Sequence, residues 1–146
     1  MAEAKGGSLA AKIKKARVTA AKLAEKSNEL NDVLLKAQDA IAALRLGVSA
    51  SVLMHIEETN AAETYLSFER YEGKWSLTIL EGHPAFEEWS TTPLLKASRR
   101  LRMEASKLLP ALVDKLMEQT EKEIGEVDES KSAVVSFVKE LQEAQS

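Results

Sequence analysis

Few residues in this chain have the types and spacing that covalent chemistry needs. The chain has two histidines and no cysteine, which removes thiol catalysis, disulfides and cysteine-ligated zinc. His55 lies in a strand-like run, alternating onto one face with Ser49, Ser51, Leu53 and Glu57; it reads as a surface or edge histidine. His83 and Glu87 lie four apart beside Glu88. Such a group could place ligands on one helical turn, but it lacks the pattern of a metal motif. Glu57-Glu58 and Glu87-Glu88 are neighbours in sequence, which gives no reason for either pair to face each other across a substrate. Apart from Gly6-Gly7 the glycines are scattered singly, so no phosphate-cradling loop is present. No serine sits in a nucleophile elbow. No catalytic residue, metal or cofactor is expected, and an enzyme is the least favoured of three functional classes.

The stronger candidates are surfaces. Lys12, Lys14, Lys15, Arg17, Lys22 and Lys26 make the first 26 residues net +5, and the remaining 120 are net −8. The densest acidic stretch, Asp114 to Glu129, has seven carboxylates against Lys115 and Lys122. Opposed charge blocks of this kind meet within a fold, meet between chains, or address different partners. A second basic cluster, Lys96, Arg99, Arg100, Arg102 and Lys107, is offset only by Glu104. Arginine forks suit bidentate contacts to carboxylate or phosphate, so this cluster is a candidate clamp for an acidic partner or a nucleic-acid backbone. Pairing with the acidic 114–129 stretch is the favoured reading of it. Nucleic acid is disfavoured by the acidic overall balance and by the lack of interleaved basic and aromatic residues.

The elements that must carry these surfaces are legible from periodicity. Ser8 reads as a helix N-cap. Small or apolar residues then recur at Leu9, Ile13, Ala16, Ala20, Leu23, Ser27, Leu30, Leu34, Ala37, Ile41 and Leu44. This strict alternation of four and three is the signature of a coiled-coil seam. The first half of the seam is narrow; the second widens through Val33, Leu35 and Ala40, as where a helix lies on a sheet. Three runs of alternating residues follow: Val48 to Glu57, Tyr65 to Tyr71, and Lys74 to Leu80. Glu72-Gly73 reads as a two-residue hairpin turn, placing Tyr71 opposite Lys74, Phe68 opposite Leu77, Leu66 opposite Ile79, and Arg70 where it could stack on Trp75. The other face holds Leu53, Tyr65, Tyr71 and Leu80. It is a candidate docking face, although cover by a C-terminal helix is the favoured expectation. Phe86 and Trp89 suggest one helical turn at the end of the sheet. Thr92-Pro93 reads as N-cap and first residue of the next helix, and Pro110 as a kink or a fresh start. A second seam runs from Val113 to Leu141.

The expected fold is therefore α+β: a flexible tail over 1–7, then one domain over 8–144. That domain has a long coiled-coil-like helix over 8–45, a three-stranded antiparallel meander over 48–81 and helices over 93–144 (α-β-β-β-α-α). In outline this order resembles small α+β adaptor heads and secretion-chaperone-like domains. Those chaperones have further strands after the middle helix where this chain shows none, and no motif carries the likeness. No run approaches the ~18 apolar residues of a membrane span, and Met1 to Ser8 leads into no apolar stretch; the expected compartment is the cytoplasm, with no membrane partner. The expected function is a non-enzymatic protein–protein interaction module, adaptor-like or chaperone-like, acting on a partner the sequence does not name. It is expected to be a homodimer through Leu9, Ile13, Ala16, Ala20, Leu23 and Leu30. The alternative is a nucleic-acid-associated protein using the basic clusters.

Overall fold

The computed structural model describes residues 8–146; the tail expected over 1–7 lies outside the described residues. Helix α1 spans Leu9–Ala43 and starts where the Ser8 hydroxyl accepts a hydrogen bond from the Ala11 N–H at 3.2 Å, satisfying one of the donors a first turn leaves free. It ends at Leu44, after which Arg45 takes a left-handed backbone with φ 52°, a conformation usually left to glycine. Four strands follow: β1 (Ala50–Ile56), β2 (Glu63–Tyr71), β3 (Lys74–Gly82) and β4 (Trp89–Pro93). They form one antiparallel meander in the order β1-β2-β3-β4. A short 3-10 turn (Leu94–Lys96) leads to helix α2 (Arg99–Gln145), whose Ser98 cap accepts from the Leu101 N–H at 3.3 Å.

The β2–β3 hairpin has the register that its turn chemistry implies. Tyr71 faces Lys74, Phe68 faces Leu77 and Leu66 faces Ile79, with Glu72 and Gly73 both at positive φ, as a type I′ turn requires. The Arg70–Trp75 contact differs from expectation. Trp75 stacks on Phe68, with centroids 5.7 Å apart, while Arg70 donates to the Gly73 carbonyl at 3.3 Å.

The sheet has four strands rather than three. Trp89–Pro93 pairs with Thr78–Gly82 in place of the expected helical turn. Opposite Gly82, the Trp89 indole occupies the space a β-carbon would fill, lying 2.5 Å from that position; an aromatic ring thus covers a bare glycine and anchors the new strand. Pro93 closes β4 rather than opening a helix. The closing helices are one helix of 47 residues that runs through Pro110. Pro110 lies on the exposed side, where water can take the carbonyl that the missing N–H abandons.

Both helices lie against the same face of the sheet. Val52, Leu66, Phe68, Leu77 and Ile79 meet Leu34 and Ile41 of α1, Leu94 of the 3-10 turn, and Ala105, Leu112 and Leu116 of α2 in a single buried core. Ala105, fully buried, has the small side chain that lets α2 approach the sheet closely. Two tethers fix α1. The Gln38 side chain accepts from the Leu77 N–H at 3.0 Å, beyond the end of β4, and Arg102 reaches across from α2. Arg102 donates to Asn31 Oδ1 at 2.6 Å, to the Ser27 carbonyl at 3.4 Å and to the Ala97 carbonyl at 3.2 Å. Charge-assisted bonds left without their donor cost more than neutral ones. Arg102→Ala should therefore destabilise the fold by about 1.5–3 kcal/mol, whereas Arg99→Ala, at an exposed position, should fall within about 0.5 kcal/mol. Parallel urea melts of the two variants check this.

Candidate interaction surfaces

The core accounts for only part of each helix. Every described residue from Ser8 to Lys26 is exposed, and so is every residue from Glu121 to Ser146. In α1, Leu9 is 74% and Leu23 47% exposed; in α2, Ile124 is 57% and Val134 59% exposed. Had the two seams paired within the chain, these residues would be covered. The second half of α1 does pack on its own sheet, but through Leu30, Leu34, Ile41 and Ala42. Val33, Leu35 and Ala40, which were expected to widen the stripe, are exposed, and the last core residue of α2 is Leu116. Beyond those limits each helix presents apolar residues to solvent at heptad spacing, interrupted in α2 by Thr120 and Lys131. Of the expected interface positions, Leu9, Ile13, Ala16, Ala20 and Leu23 are exposed, and Leu30 is half-buried against the core.

The basic cluster of α2 is dispersed. Arg102 is turned inward as the α1 tether, and Arg100 pairs with Glu104 at 3.1 Å. Lys96, Arg99 and Lys107 remain exposed. The favoured pairing of this cluster with the 114–129 stretch does not occur: among the described residues the ion pair made by that stretch is the local Lys115–Glu118 contact at 3.4 Å. The geometric reason is that α2 is one continuous element, so its basic start and acidic middle follow each other along one axis, beyond the i,i+3 and i,i+4 reach of side chains on a single helix. Lys26 likewise pairs within α1, with Glu29 at 3.2 Å. Among the described residues the two charge blocks make no ion pair with each other.

The outer sheet face is open, contrary to the favoured expectation of a covering helix, because both helices are used on the other side. Leu53, Tyr65 and Leu80 stand in one cross-strand row, with Leu53 exposed and the other two half-buried. Tyr71 sits at the hairpin end, half-buried and apart from this row. Trp89, expected in a helical turn at the end of the sheet, joins the patch instead, its ring 5.9 Å from that of Tyr65. Ser51, Tyr65, Leu80 and Trp89 frame a shallow depression of about 210 Å³. The Tyr65 hydroxyl donates to the Glu63 carboxylate. That hydrogen bond holds the phenol above its ordinary pKa, with desolvation and the carboxylate charge acting in the same direction. Beneath these taller side chains, Ser67 donates to the Ala50 carbonyl and Thr78 to Glu69, so the small polar residues of this face are satisfied in place.

A bulge relocates His55. Between Leu53 and His55 the β1–β2 register shifts by one residue, so that His55 faces Thr64. A one-residue shift moves a side chain to the opposite face. His55 therefore lies on the helix side, not on the serine-lined face, in a cleft of about 490 Å³ with Glu57, Glu81, Arg100 and Glu104. Its Nδ1 is 3.8 Å from Glu104 Oε2, and its Nε2 is 3.8 Å from Glu57 Oε1 and 3.4 Å from Thr64 Oγ1. The order Thr64–His55–Glu104 is that of a nucleophile, a base and an orienting acid. The distances exceed the ~2.6–3.2 Å of a working hydrogen-bond chain. Thr64 is also buried and paired on both sides, with His55 and Glu81. His83 is occupied structurally, its Nδ1 accepting from the Ala85 N–H at 3.0 Å and its ring resting on Phe86. Among the described residues no cluster of three or more potential metal ligands occurs, and no helix is long and apolar enough to cross a membrane.

Compared with known proteins, the chain matches no family, no curated protein and no solved structure.

Proposed function

We propose that this protein is a non-enzymatic protein–protein interaction module that self-associates through its long helices. One observation carries the reading: two helical segments, each of about five turns or more, present apolar residues at coiled-coil spacing that no described residue of the chain covers. A solvated helix draws little stability from propensity alone and a great deal from burying its stripe. The sheet and its core act as the rigid hub that holds the two helices, and the open Leu53–Tyr65–Leu80–Trp89 face is the surface left for a further protein. The imperfect alignment at His55 and the burial of Thr64 support a non-catalytic role. The nucleic-acid alternative loses ground because Arg102 is turned into the fold and the charge of the exposed Arg100 is offset by Glu104.

Leu23→Asp tests the reading. It places a carboxylate in the seam of α1 at a position outside the buried core. The variant should keep the wild-type thermal midpoint of the sheet within a few degrees while its weight-average mass falls from dimer towards monomer in light scattering. An unchanged mass would remove α1 from the interface.

A further inference from the structure

The exposed parts of α1 and α2 are complementary in a way that neither is with itself. Written as heptads with Leu9, Ala16 and Leu23 at one seam position and Ile13 and Ala20 at the other, the α1 stripe is flanked by Lys12, Arg17 and Lys26 and otherwise by uncharged residues. Every charged flank is basic. Written in the same way from Val113 through Met117, Ile124 and Val127, the α2 stripe is flanked by Asp114, Glu121, Glu123 and Asp128. Every charged flank over residues 113–130 is acidic. Flanking residues are the ones that meet across a helical seam and select its partner. Pairing α1 with α1 from another copy would set lysine and arginine against their own kind in either orientation, and pairing α2 with α2 would do the same for carboxylates. The exposed segment 9–26 carries net +5, and the first ten exposed residues of α2 past the core, 121–130, carry net −4.

The two segments do not satisfy each other within the described chain: α1 is open to solvent over 9–26 and α2 from Glu121 onward, Val113 and Leu116 at the start of the α2 stripe packing on the sheet core instead. From this we infer that the basic half of α1 in one copy docks along the acidic half of α2 in a second copy, and reciprocally, so that each protein donates one arm of each charge to the assembly. A reciprocal exchange is the smallest assembly that uses all four arms and closes on itself. It explains why the chain keeps its charges in separate blocks. This inference rests on the reading of the protein as self-associating and names which surfaces meet.

The test uses two full-length variants with unaltered cores. In one, Lys12→Glu, Arg17→Glu and Lys26→Glu reverse the α1 flanks; in the other, Glu121→Lys, Glu123→Lys and Asp128→Lys reverse those of α2. All six positions are exposed, and circular dichroism checks that each variant retains wild-type helix content. Each variant alone should self-associate about a hundredfold or more weakly than wild type, because attractive flanks become repulsive ones. An equimolar mixture of the two should recover the mass of the wild-type assembly in sedimentation velocity, since each then meets its complement. If reversing the α2 flanks leaves association unchanged, or if mixing recovers nothing, the α1–α2 pairing is overturned while self-association stands. If wild type does not self-associate at all, the parent reading falls and takes the inference with it.

Discussion

Phe68→Ala should destabilise the protein by about 3–5 kcal/mol, as truncation of a large buried aromatic does. Phe68 sits on central strand β2, only 4% exposed, opposite Leu77 and stacked on Trp75. It lies on the face that receives both helices, so its removal opens a cavity at the joint between sheet and helix layers. Trp75 loses its stacking partner at the same time, which adds to the transfer and cavity contributions. Because marginal domains hold only about 5–15 kcal/mol in total, the variant should lose a large part of its stability in urea. A measured loss below about 1 kcal/mol would contradict the placement of this hairpin at the centre of the core.

The opposite result is expected at the other end of the chain. Deleting residues 121–146 removes more than half of α2 and seven large apolar side chains, yet none of these residues is buried. The last core residue, Leu116, and the half-buried Thr120 remain. The truncated protein should unfold with nearly the stability of the full chain when compared as monomers, with a loss of about 1 kcal/mol or less. Its self-association should disappear. Equilibrium unfolding combined with light scattering separates the two effects. A truncation that unfolds the sheet would mean that the exposed half of α2 supports the core, and a truncation that still dimerises would free α2 from the interface.

These contrasts show what could be read from the chain and what could not. The β2–β3 hairpin was legible because Glu72-Gly73 and the alternation around it state the same register independently. The long first helix and its Ser8 cap followed from the unbroken alternation of four and three and from the cap chemistry. The stripe width misled: Val33, Leu35 and Ala40 are exposed, and the seam residues Leu34 and Ile41 make the contact with the sheet. Other features depended on tertiary contact. The β1 bulge carries no composition signal, and it alone moves His55 from the serine-lined face to the helix side. Strand β4 was obscured because Phe86 and Trp89 are three apart, a helical spacing, while the decisive fact is that Trp89 covers Gly82 across the strands. Pro110 is a breaker by propensity, but its exposed position lets the helix continue. The role of Arg102 was hidden inside a run of basic residues: spacing marks a cluster, and only the neighbouring α1 backbone distinguishes a tether from a surface charge.

The mass of the wild-type protein across low to high micromolar concentration tests the account most directly. Two long helical stripes left open by the fold should be covered by association, so light scattering or sedimentation equilibrium should report a dimer that dissociates on dilution and weakens in high salt, as opposed flanking charges are screened. A protein that remains a monomer at high micromolar concentration, with its helices intact by circular dichroism, would contradict the account.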